Sequence, residues 1–171
     1  MKNIALDFLL RPSFSLRAWL CLRLVTAATP LYCWLSRHRK PAWGYSVQTL
    51  RAFPVGTLGR DLGNFLSVNG LRLQPHAEEH DVFHVLLGFQ PTVIGEARMQ
   101  FALLGNGRHS AFVWVSVLLG LVLFPEYYPV FRRDYRDGQL SRPFSRWQFQ
   151  HLLHENTEEL RDFIFYRHGS W

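Results

Sequence analysis

The sequence predicts an all-α fold. Three observations carry that prediction. No stretch sustains the two-residue apolar–polar alternation of a half-buried strand. Apolar residues instead recur at three- and four-residue spacing over segments of helical length. Helix signals punctuate those segments, with Ser, Thr or Asn ahead of them and Gly, Asn-Gly or Pro behind. At ordinary helix lengths this makes about seven to eight helices. The 171 residues favour one domain, 1–171, long enough to bury a sizeable core. No internal repeat or low-complexity segment divides it.

Taken in order, residues 18–35 (AWLCLRLVTAATPLYCWL) have the length of a membrane span, but Arg23 and Pro30 interrupt them. An arginine near mid-span costs a few kcal/mol, so the stretch is read as a buried or interfacial helix. Ser36 to Trp43 is polar, contains Lys40-Pro41, and reads as a linker. Pro54-Val55-Gly56-Thr57 is a second break. Thr57 can cap a helix through Leu58, Leu62, Phe65 and Leu66 that stops at Asn69-Gly70. Gly59 and Gly63 in it either admit a close-packed helix or isoprenoid chain, or simply weaken it.

Pro75 suits the first turn of the next helix, on which His76, His80 and His84 would form one stripe. Glu78 and Glu79 favour its N-terminal dipole and need no chemical role. Gly88 and Pro91 end it, and Thr92 caps a following helix from Val93 to Leu104, closed by Gly105-Asn106-Gly107. Ala111 to Phe124 carries no charge and stops at Pro125. It falls short of the roughly 20 residues a span needs. Being apolar nearly all round, it reads as the central core helix, or with Gly120 as a wall of a lipid tunnel. Gly138 closes the next helix. Ser145-x-x-Gln148 and Asn156-x-x-Glu159 read as capping boxes for helices near 146–154 and 157–167. His151 and His154 are taken as structural.

Hydrophobic residues make up 48% of the chain, which excludes a disordered protein. Fourteen Phe and six Trp suit a bulky core, an apolar ligand cavity or an interfacial surface. Cys21 and Cys33 fit buried thiols in a reducing compartment, since they are too few for a disulfide framework. Net charge is +6, and there is no acid between Asp7 and Asp61 while Arg11, Arg17, Arg23, Arg37, Arg39, Lys40, Arg51 and Arg60 fall there. With Trp19, Trp34 and Trp43 in the same third, residues 1–45 read as a basic, aromatic, membrane-facing segment. A solvated basic helix face is the alternative. An organelle transit peptide also fits so Arg-rich and acid-poor a start, but its cleavage would remove much of a short chain. Zinc-finger spacing, RNP-like aromatics and a Gly-rich phosphate loop are all missing, so nucleic acid is not expected as a partner.

The chemistry-bearing stretch is His80-Asp81-Val82-Phe83-His84, with Glu96 following after eleven residues. On a helix, His80 and His84 project from one face. In a continuous helix Glu96 would lie roughly 18 Å further along the axis. The Gly88–Pro91 break instead predicts a helical hairpin that folds Glu96 back opposite His84. Two neutral imidazoles with one or two carboxylates suit zinc, which in catalytic sites commonly keeps three protein ligands and one open position. The spacing is close to the HExxH zinc helix, with Asp81 in place of its Glu, so Asp81 is a candidate ligand, ligand-orienting group or catalytic base. The plainer alternative is two surface or cap histidines beside a solvated acid. His76 is a candidate outer ligand, although such a position more often holds a cap or surface residue. Arg132, Arg133 and Arg136 make a basic cluster beside Tyr135, able to hold an anionic substrate group or simply to form a solvated face.

The pattern HDVFHVLLGFQPTVIGE resembles the signature of the ubiquinone (coenzyme Q) biosynthesis family whose fourth yeast component is the founding member. Gly56-Thr57-Leu58-Gly59-Arg60 with Phe65-Leu66 is similar to that family's upstream glycine motif. Tyr135-x-x-Gly138, Trp147 and Glu159-Leu160-Arg161 are similar to its C-terminal part. The resemblance covers about residues 50–171 and departs from the family at Arg98, where an apolar residue is expected, and at Gln148. It implies a hydrophobic tunnel for a polyprenyl tail and an ion, zinc or another divalent metal such as iron, held by His80, His84 and Glu96, with Asp81 as fourth ligand or supporting carboxylate. It also implies a peripheral position on the inner face of a membrane (the matrix side of the mitochondrial inner membrane in a eukaryote). The implied reaction is on the ring of a prenylated hydroxybenzoate, namely oxidative removal of the C1 carboxylate. Other quinone-biosynthesis enzymes and a second copy of the chain are candidate partners. The alternatives are a non-catalytic polyprenyl-lipid scaffold with a structural metal, and a zinc hydrolase unrelated to quinones. A phosphohydrolase of the HD class fits less well, for want of its extra upstream His and downstream Asp.

Overall fold

A computed structural model describes residues 16–21, 23–24 and 41–165. The expectations for Cys33, Trp34, Arg37, Arg39 and Lys40, and most of the segment 1–45, fall outside those residues. Among the described residues the architecture is all helical, with one isolated bridge between Thr57 and Asn156. After a helical stretch at residues 16–21 and 23–24 come α1 (Val47–Arg51), α2 (Leu58–Val68), α3 (Glu78–Leu87), α4 (Val93–Gly105), α5 (Ala111–Leu123), α6 (Tyr128–Leu140) and α7 (Thr157–Phe165). Short 3-10 turns lie at Pro125–Tyr127 and Phe149–Leu152.

Local chemistry sets most of these boundaries. Ser46, Thr57, Thr92 and Ser110 each turn a side-chain oxygen onto the backbone N–H three residues ahead, opening α1, α2, α4 and α5. Asn156 accepts from the N–H groups of Glu158 and Glu159 at the start of α7. Three expectations need correction. α3 begins at Glu78, and His76 has φ 67, so it lies outside the helix and off the stripe that carries His80 and His84. Ser145 caps no helix; its hydroxyl donates to the Asn106 carbonyl, and only a 3-10 turn follows it. Gly138 lies inside α6 and does not end it.

Two apolar clusters fill the interior, and α4 serves both. Met99 and Leu103 face Leu58, Leu62, Leu66, Phe83, Leu86 and Phe149. Ala97, Phe101 and Leu104 face Val113, Val117, Phe124 and Phe131. The central helix is therefore α4. The uncharged run read as the core helix is α5, which buries only Val113, Val117 and Gly120. Its Trp114, Val115, Leu118 and Val122 are 52–67% exposed.

Close backbone approach holds α4 on α6. A Cβ on Gly105 would overlap the Tyr135 carbonyl, and one on Gly138 the Ala102 carbonyl. Between them Phe101 stacks on Phe131 with centroids 4.5 Å apart. Gly63 does the same for α1, whose Leu50–Arg51 backbone lies where its Cβ would be. Past the end of α4, Asn106 donates to the carbonyls of Gly138 and Arg142 and accepts from the N–H groups of Phe144 and Ser145. Asn106 thus ties the loop after α4 to the end of α6 and the segment that follows it. Glu78 and Glu79 have structural partners: Glu78 accepts from the Trp43 N–H, and Glu79 pairs with Arg108.

Candidate metal centre

The hairpin forms as the sequence predicts. Gly88, in the left-handed region at φ 71, ends α3 and turns the chain, and Thr92 caps α4. His80 and His84 stand one turn apart on α3, and Glu96 occupies the first turn of α4. Their donor atoms converge. His84 Nε2 lies 2.8 Å from Glu96 Oε1 and 3.3 Å from His80 Nε2. His80 Nε2 lies 3.3 Å from both Glu96 oxygens. A tetrahedral ion with ligands at about 2.0–2.1 Å needs donor–donor edges of about 3.3 Å. These three residues could hold a metal ion.

The surroundings prepare His84 for that role. Its Nδ1–H donates to the Phe89 carbonyl at 2.9 Å, which turns Nε2 toward His80 and Glu96. Phe65 of α2 stacks on its ring with centroids 5.4 Å apart, and His84 is buried. His80 is more open and meets the Phe112 ring edge to face. When Nδ1 is committed to Phe89, a 2.8 Å contact between Nε2 and a carboxylate requires a shared proton. Burial works against a charged His84, but Glu96 outweighs it and raises the pKa above the usual histidine value. Burial likewise opposes ionisation of Glu96, yet the hydrogen bonds and charge of His80 and His84 bring its pKa well below the carboxylate range. A proton thus sits where a cation would, and binding of a metal would release it.

Asp81 stands beside this group without joining its convergence of donor atoms. It is buried, its Oδ2 has no hydrogen-bond partner, and burial pushes its pKa up to about 6 against the pull of His80 and His84. An orphaned buried carboxylate oxygen next to three converging donors fits a site built for a cation. His76 lies outside the helix. Arg132, Arg133 and Arg136 lie on the exposed face of α6, opposite Phe131, Asp134 and Gly138, which are buried and of which Gly138 abuts α4. Arg133 pairs with Asp137.

Sequence reasoning missed the contributions of Phe65 and Phe112, because ring contacts between separate helices leave no spacing signal, and that of the Phe89 carbonyl in the turn. Cys21, read from the sequence as a buried thiol, has a neighbourhood that spacing did not show. That thiol is half-buried against the second cluster, and burial, with the charge of Glu96, raises its pKa. Cys21 therefore lies near the start of α4.

No protein-family model matches the chain, and no curated protein matches it in sequence. Among solved structures the chain is similar to a "Putative ubiquinone biosynthesis protein" of Nostoc punctiforme, with a TM-score of 0.58 and 20% sequence identity over 86% of this chain and 80% of that one. A likeness at that identity establishes a shared helical fold.

Proposed function

We propose that this chain is a metal-dependent protein of ubiquinone-type lipid biosynthesis that acts on the ring of a polyprenylated hydroxybenzoate, by oxidative removal of the C1 carboxylate. The observation that carries the reading is the zinc-like convergence of His80, His84 and Glu96 on a hairpin with the HDVFHVLLGFQPTVIGE pattern. The name and fold of the Nostoc punctiforme protein support it.

His80, His84 and Glu96 would hold the ion, with Asp81 close enough in sequence and charge to complete or steady the set. Such an ion supplies Lewis acidity toward a carboxylate or phenolate oxygen. Zinc has no redox chemistry of its own, so with zinc the electrons of an oxidative step leave the substrate to molecular oxygen; iron is the alternative metal. The chain's own residues orient the donors: Phe89 fixes the His84 tautomer, and Phe65 covers its ring. Exposed apolar side chains at Leu16, Trp19, Leu20 and Leu24 and on α5 support docking on an anionic membrane surface, where a polyprenyl substrate resides.

Elemental analysis tests the reading, followed by assay on a prenylated hydroxybenzoate. Near-stoichiometric zinc or iron is expected in the wild type and is lost in both His84→Ala and Glu96→Ala. Turnover is expected only with the metal bound. Failure of every reconstitution to load metal would remove the reading. A second reading, favoured by the same exposed apolar faces, is a non-catalytic scaffold that presents polyprenyl lipids to partner enzymes. A metal-loaded protein that binds the substrate and leaves it unchanged would select the scaffold.

A further inference from the structure

We propose that Arg98, locked in place by Asp134, is a positioning residue for the metal-binding nitrogen of His84 and acts on it through Phe89. The inference rests on the metal reading above and extends it to residues outside the donor set. Arg98 is one of the positions at which the chain departs from the pattern it otherwise resembles.

Arg98 Nε and Nη2 donate to Asp134 Oδ2 and Oδ1 at 2.8 and 3.0 Å, a two-pronged pair that fixes the guanidinium plane. Asp134 is 5% exposed, so the pair is anchored inside the α4–α6 contact. The other side of the guanidinium reaches the Phe89 ring, 5.1 Å from its centroid. Phe89 belongs to the turn between α3 and α4, and its carbonyl accepts from His84 Nδ1–H at 2.9 Å. A continuous chain of contacts therefore runs from α6 through α4 and the turn to the imidazole. Docking of α4 on α6 does not need the pair, because Gly105, Gly138 and the Phe101–Phe131 stack already bring the helices together. What the pair adds is a fixed cation against Phe89, which holds the carbonyl that selects the His84 tautomer. Groups that orient a metal-binding histidine are worth about 10–100-fold in metal affinity.

The test is the double variant Arg98→Met/Asp134→Leu, which removes both charges so that neither is left buried alone. Phe89→Leu, which leaves the ion pair intact, is a second variant in case the first does not fold. Two readouts are taken with a thermal melt as control. One is the nitrogen NMR of the His84 ring in metal-free protein, above the pH at which it titrates. The other is Co2+ affinity by visible absorption. Wild type is expected as a single tautomer protonated at Nδ1. Both variants are expected to show mixed tautomers and about 10–100-fold weaker cobalt binding with a near-wild-type melt. Arg98→Lys should recover part of both effects, because it keeps a cation against the ring. Folded variants with an unchanged tautomer and unchanged cobalt affinity would overturn the proposal. If wild type binds no cobalt, the metal reading fails, and the tautomer comparison still decides whether Arg98 positions His84.

Discussion

Asp81 is the residue at which folding and metal chemistry oppose each other. Its folded pKa of about 6 lies above the ordinary 3.8. The folded protein thus keeps a proton that the unfolded chain has released, and the stability given by the neutral acid is lost as pH rises through that window. Above it, the ionised carboxylate costs the metal-free fold on the order of 2–3 kcal/mol. Asp81→Asn is expected to make metal-free protein more stable than wild type at pH 7 and no different near pH 3. On the metal reading proposed above, a bound divalent cation would reverse the balance by supplying the partner that Oδ2 lacks, so the same substitution is expected to weaken zinc binding. Urea unfolding at the two pH values, with and without zinc, reads both effects. Destabilisation of the metal-free protein at pH 7 would mean that Asp81 serves the fold itself.

At the scale of the element, α4 is the member on which the molecule depends. It packs on both apolar clusters, carries Glu96 in its first turn and Arg98 one position beyond Ala97, and meets α6 backbone to backbone. Gly138→Ala puts a methyl group onto the Ala102 carbonyl, which neither helix can move away from cheaply. A loss of about 3 kcal/mol or more is expected in chemical denaturation, at the upper end of overpacking costs. Gly120→Ala serves as the control. Its nearest neighbour would be the rim of the Phe101 ring at 3.3 Å, which can shift slightly, and α5 gains helix propensity. A change within about 1 kcal/mol is expected there. Equal effects at the two glycines would mean that close approach of α4 and α6 is not what holds them together.

For the whole molecule, the notable property is the pairing of charge with exposed apolar surface. Net charge is +6. Leu16, Trp19, Leu20 and Leu24 are exposed on the first helical stretch, and Trp114, Val115, Leu118 and Val122 on α5. Arg17 donates to the Leu123 carbonyl and pairs with Glu126, which joins the two elements. No single described helix is long and apolar enough to cross a membrane. Sedimentation with vesicles containing anionic lipid is expected to capture the protein, and added salt to weaken capture, because each basic residue near the surface contributes about 1 kcal/mol. Val115→Asn/Leu118→Asn is expected to reduce capture several-fold without lowering the melting temperature. If capture were unaffected, membrane docking on α5 would be abandoned.

The all-helical class, the caps at Thr57, Thr92 and Asn156, and the hairpin that folds Glu96 back to His84 were legible in the sequence. Each is decided within a few residues, by helical period, by a capping side chain or by a glycine able to adopt positive φ. The core position of residues 111–124 was not legible. A helix apolar on every side has no periodicity to say which face is covered, and here the interior went to α4. The first turn of α3 was misjudged because His76 adopts a left-handed conformation, which local propensity does not favour. The tertiary structure alone decided what surrounds the donors. The Phe89 carbonyl on Nδ1, the Phe65 ring over His84 and the Arg98–Asp134 pair join residues from different elements, and contact between separate elements has no period along the chain.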